Sequence, residues 1–180
     1  MRKVNNSVIA FHTIGAWMSR QDFQTDLERS RNYGDLFDLV KRAVRKVLGL
    51  NRSGLMLYLG DLPLQVGAFH QVGSNGIVLN RRVLDLVSRS MDAIPEVNSF
   101  IFTLLLHEYL HSLGYLDERY VRELVSKISS DVFGADHPTV QMALNPPFPK
   151  VLPSDMHEEN TDPTLELVKD FERSNQPYIA

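Results

Sequence analysis

The sequence predicts an α+β fold, a small sheet packed against helices, and two observations predict it. Helical periodicity dominates residues 36–48 and 97–132, while strand and turn signals are confined to residues 55–79. Strands grouped in one stretch and helices in others point to segregated elements rather than alternating βαβ units. With 180 residues, the chain can bury one sizeable core.

In order, residues 22–32 read as a short polar helix broken near Gly34. From Leu36 to Leu48, Leu36, Phe37, Leu39, Val40, Ala43, Val44, Val47 and Leu48 recur at helical spacing, with Gly49 where a C-terminal cap belongs. Residues 55–59, Leu-Met-Leu-Tyr-Leu, predict a buried strand. Leu64–Phe69 and Ile77–Leu79, joined through Gly73-Ser74-Asn75-Gly76, have the pattern of a hairpin. A helix is expected over Arg82–Met91, and a far more apolar one over Val97–Leu113, stopping at Gly114. The next spans Glu118–Val132, with Asp117 placed to cap it. Residues 1–144 are expected to form the domain, and residues 145–180 a proline-rich extension on its surface. Five prolines between Pro146 and Pro163 exclude a single regular element there. A short closing helix is expected near Thr164–Arg173.

Composition removes several functions. Forty-three per cent hydrophobic and 23% charged residues describe a folded globular chain. A net charge of −3 leaves no electrostatic footprint for nucleic acid. Without cysteine there is no disulfide scaffold, thiolate metal site, iron–sulfur cluster or cysteine nucleophile, so any metal must be held by His, Asp or Glu. The longest apolar block, Ile101–Leu106, is too short to cross a bilayer, and the N-terminus makes a poor signal peptide. A cytoplasmic location is expected, with no membrane partner.

The chemistry concentrates in Leu106-His107-Glu108-Tyr109-Leu110-His111-Ser112-Leu113-Gly114-Tyr115-Leu116-Asp117-Glu118. On a helix, His107 and His111 lie one turn apart on nearly the same face, where both imidazoles can grip one ion. Glu108, rotated by about 100°, stands beside them, placed to take a proton from water activated by the metal. Phe100, Ile101, Phe102, Leu104, Leu105 and Leu106 make this helix apolar nearly all round. Polar groups on such a helix are costly to desolvate without partners, and a divalent cation is an economical one.

The bare His-Glu-x-x-His is only suggestive, but here it extends to H-E-x-x-H-x-x-G-x-x-D over residues 107–117. That stretch resembles the extended signature of the metzincin zinc peptidases in its aspartate version and, more broadly, the zincin superfamily. The resemblance implies a zincin-like α+β fold with a small mixed sheet and an active-site helix. It further implies a Zn2+ cofactor held by His107, His111 and Asp117, with Glu108 as general base and Gly114 turning the chain toward the third ligand. The implied function is a zinc-dependent metallopeptidase acting on a peptide or protein substrate. The strand near Gly76–Asn80 is expected to bind the extended substrate by edge pairing.

Other candidates for third ligand remain beside Asp117, which also suits a helix cap. His137, in Gly134-Ala135-Asp136-His137-Pro138, ranks second; Glu118 adjoins Asp117, and Glu123 lies on the following helix. The buried stripe expected there (Val121, Leu124, Val125, Ile128, Val132) turns Glu123 the other way. Met142 stands where it can serve as the methionine that metzincins place beneath the metal, or as plain core. Two further functions stay open. One is a metal-dependent RNA-processing hydrolase, from a partial echo of a bacterial endoribonuclease motif in Gly114-Tyr115-Leu116-Asp117. The other is a non-catalytic zincin-like metal-binding module, in one form latent through Asp155 or His157 of the tail.

Overall fold

The computed structural model describes residues 18–91, 93–147, 164–169 and 171. Among the described residues, six helices and four strands follow in the order α1 (Arg20–Arg29), α2 (Tyr33–Leu48), β1 (Met56–Gly60), β2 (Ala68–His70), β3 (Gly76–Asn80), α3 (Arg81–Ser90), α4 (Ile94–Ser112), α5 (Glu118–Phe133), α6 (Pro138–Leu144) and β4 (Glu166–Leu167). The class is α+β, with one small mixed sheet ordered β2-β3-β1-β4. β1 and β3 run parallel, with Leu57 opposite Ile77 and Leu59 opposite Leu79. β2 folds back antiparallel to β3, and β4 pairs antiparallel with β1.

Local signals explain most of the ends. Ser19 and Asp22 form a reciprocal capping box at α1, Asn32 caps α2, and Gly49 closes α2 at φ 71°. Pro95 stands in the first turn of α4, where its missing N–H costs nothing. Two elements depart from expectation. α6, for which no element was expected, forms just before the proline-rich extension, because Pro138 opens the helix instead of breaking it. In place of a closing helix near 164–173, Glu166–Leu167 forms β4, Val168 N–H donates to the Leu57 carbonyl, and Phe171 stacks on Phe37 at 4.2 Å. The open side of β1 supplies that short segment with hydrogen-bond partners an isolated turn of helix would lack.

α4 is the axis of the molecule, touching α1, α2, α3, α5, α6, β2 and β3. Phe100, Phe102, Leu105, Leu106, Tyr109 and Leu110 are fully buried along it. Each such burial stabilises the fold by about 1.5–3 kcal/mol relative to exposure. The Tyr109 hydroxyl accepts from Arg52 N–H at 2.7 Å, and the Arg52 guanidinium donates to the Ser112 and Ser74 carbonyls. One arginine therefore ties the end of α4 to the β2–β3 turn.

Asn80, fully buried at the end of β3, shapes the loop before β2. Its Nδ2 donates to the carbonyls of Leu62, Pro63 and Val66 at 2.8–3.0 Å, while Oδ1 accepts from Arg82 N–H. An amide satisfied on both sides holds residues 62–67 as a fixed rim. β3 itself is interior, with β1 on one side and β2 on the other. The expected edge strand is thus corrected from residues 76–80 to β2: the hairpin turn folds 68–70 over the outer hydrogen-bonding side of β3.

Candidate metal centre

The last two turns of α4 and the first residue of α5 build the site. His107 and His111 project from one face of α4, and their Nε2 atoms lie 3.0 Å apart. Glu118 brings Oε1 to 3.0 Å from His111 Nε2 and 3.4 Å from His107 Nε2. A tetrahedral ion with bonds of about 2.0–2.1 Å holds its ligand atoms about 3.3 Å apart, so the three donors have the spacing of such a shell.

The chemistry of the donors agrees with that spacing. His111 Nδ1 donates to the Tyr115 carbonyl at 2.7 Å, which leaves a neutral His111 with its lone pair on Nε2. That lone pair faces an ionised carboxylate oxygen, itself only an acceptor. Two acceptors 3.0 Å apart need a cation or a proton between them. The side chains of His107 and His111 are 22% and 14% exposed and that of Glu118 57%, so an ion here is gripped from within and reachable from solvent. Among the described residues, this trio forms a group able to hold a metal ion.

Electrostatics favour the ligating forms. Burial lowers the His107 pKa, against the opposing pull of Glu118, and so favours the neutral ring. Burial pushes Glu118 up, but the two histidines outweigh it and hold the carboxyl below its ordinary value. Glu108, buried on α4, is pushed up to about 7 by burial; His111 and the backbone N–H of His70 pull against that rise, and Glu118 adds to it.

Glu108 shares a cleft of about 500 Å³ with His107 and Glu118. One wall is the rim Gln65–Ala68 leading into β2; Leu104, Val125, Met142, Ala143 and Leu144 supply an apolar end.

The carboxylate that the structure groups with the two histidines belongs to Glu118, one residue beyond the Asp117 that the resemblance implied. Asp117 precedes α5, and its Oδ1 accepts from Tyr120 N–H at 2.7 Å as the helix cap. Glu118, the next residue, turns to the histidines instead. His137 caps α6, accepting from Thr139 N–H, and stacks on Phe133 at 4.8 Å. Glu123 pairs with Arg119 at 3.5 Å and is absent from the cleft lining. Met142 packs against the core and lines the cleft. Asp155 and His157 lie outside the described residues. Sequence reasoning missed His70, whose backbone faces Glu108, and the rim held by Asn80. Compared with protein-family models, curated proteins and solved structures, the chain matches none.

Proposed function

We propose that this chain is a zinc-dependent peptidase whose metal is held by His107, His111 and Glu118 and whose general base is Glu108. The observation that carries the reading is the convergence of three lone-pair donors, two of which, His107 and Glu118, line a cleft together with Glu108. Two imidazoles and a carboxylate suit zinc in a hydrolytic site. Zinc, when bound, supplies a Lewis acid that polarises a carbonyl and acidifies water.

The chain's own groups supply the rest. Glu108 accepts the proton of the attacking water and returns it to the leaving amine; its low-dielectric surroundings raise its affinity for that proton above that of an ordinary carboxylate, which suits it to act as the base. The substrate backbone lies along the rim. Asn80 N–H donates to the Gly67 carbonyl at 2.9 Å, so Gly67 and Phe69 turn their backbone groups toward β3, and Ala68 turns its own outward. Those outward groups pair with an extended peptide. The apolar end of the cleft receives a side chain beside the scissile bond.

Elemental analysis should find about one zinc per chain, and labelled unfolded protein should be cut. Glu108→Gln should keep the zinc and lose about 10²–10⁴-fold in turnover. Undiminished hydrolysis by that variant overturns the mechanism. Glu118→Ala should lose zinc while Asp117→Ala keeps it; the reverse would return the third ligand to Asp117.

A further inference from the structure

Arg122 is the one cation among the described residues that line the cleft. It follows Glu118 by one helical turn on α5, and the two form an i,i+4 pair at 3.5 Å. The division of labour within Glu118 matters here. Oε1 faces the two histidines, whereas Oε2 faces Arg122. At 3.5 Å that pairing is a loose, one-point contact, and the Arg122 side chain is 72% exposed. A guanidinium carries five N–H donors in a planar fork, so most of its capacity is unspent on Glu118. The other acid in the lining, Glu108, is buried on α4 and faces the backbone of His70. The cleft thus holds a cationic fork whose protein partner uses only one of its edges.

We propose that Arg122 is a specificity residue that binds a carboxylate of the substrate, giving the site a preference for acidic peptides. The inference rests on the peptidase reading above. Planar carboxylates match the guanidinium fork in two-point geometry, which a neutral amide does not. Position limits where that carboxylate lies. Arg122 stands 3.5 Å plus the width of one carboxylate from the ligand atom Oε1. An extended peptide advances about 3.4 Å per residue, so the recognised group belongs to a residue within about two of the scissile bond. Two sources share this chemistry, an Asp or Glu side chain and a free C-terminus.

The test uses the full chain and two readouts. Matched quenched-fluorescence peptides carry Glu or Gln near the scissile bond, each with a free or an amidated C-terminus. Cleavage is measured with the zinc-loaded protein, and binding with Glu108→Gln, which reads affinity without turnover. The acidic peptide of each pair should be preferred by about fivefold or more in both readouts. Arg122→Gln should bring the ratio to about one, and Arg122→Lys should leave an intermediate preference. A preference that follows Glu over Gln assigns a side-chain carboxylate; one that follows the free over the amidated end assigns the terminus. Equal handling of all four peptides by the wild type overturns the inference while cleavage upholds the peptidase reading. Charge-selective binding without any cleavage does the opposite. Loss of zinc in Arg122→Gln also overturns the inference, because Arg122 would then act by positioning Glu118.

Discussion

A protonated His137 cannot perform the task of the neutral ring at the start of α6. Its Nδ1 accepts from Thr139 N–H at 3.2 Å and lies 2.9 Å from the Thr139 hydroxyl. A proton on that nitrogen removes the cap. Burial lowers the His137 pKa below 6.5, with Glu28 only partly opposing it. A histidine depressed in the fold stabilises it fully above the unfolded value and loses that contribution as the pH falls through the folded one. Between about pH 7.5 and about pH 5, His137→Asn, a cap that does not titrate, should therefore lose less stability than the wild type, by about 1 kcal/mol. Denaturant titrations at both pH values check this, and equal losses would remove His137 from the account. The same competition between capping and ligation explains what the sequence concealed at Asp117. One carboxylate suited both tasks, and only the position of the first turn of α5 decides that Asp117 caps while Glu118 turns to the histidines. His107, Glu108 and His111 were legible because helical spacing alone sets them side by side.

At the scale of elements, the turn between α4 and α5 governs the site. Gly114 adopts φ 97°, a conformation a Cβ resists, and Tyr115 N–H then returns to the Leu110 carbonyl. The same turn sets the Tyr115 carbonyl against His111 and leads the chain to Glu118. Gly114→Ala should cost about 1–2 kcal/mol and weaken zinc binding together with stability. Unchanged zinc affinity in calorimetric titration would separate the turn from the site. The hairpin pattern of 64–79 was readable, but its outermost strand was not, because alternation reports the two faces of a strand and says nothing of its neighbours. β4 escaped for a related reason: two residues carry no periodicity, and their partners, Leu59 and Tyr58, lie more than 100 positions away. α6 was hidden because a proline reads as a breaker unless it is known to stand at the first turn.

For the whole molecule, the proposed metal would be linked to the fold. A ligand that binds only the native state stabilises it by about 2.7 kcal/mol when present at 100 times its Kd. Zinc should therefore raise the Tm of the wild type, and a chelator should reverse the rise. His111→Ala should show neither effect. A chelator-insensitive wild type would argue against a metal in this cleft. The helical frame and central sheet were largely legible from periodicity and turns, since α4 is apolar enough to declare itself the axis. The closure of the cleft was not, because its wall at 65–68 is placed by Asn80, whose reach across more than a dozen residues has no local signature.

The three proposed ligands all fall between residues 107 and 118, a single short stretch of chain. Bridging it closes a loop of about a dozen residues, and so small a loop removes little entropy from the denatured ensemble. A denatured chain keeps these donors close together and retains some affinity for zinc, which trims the gain in Tm below what the native Kd alone implies. The rim, by contrast, is recruited from some 40 residues upstream, a pairing of higher contact order that forms later than a helical turn. During folding, the proposed grip on an ion would accordingly exist before the cleft beside it has closed.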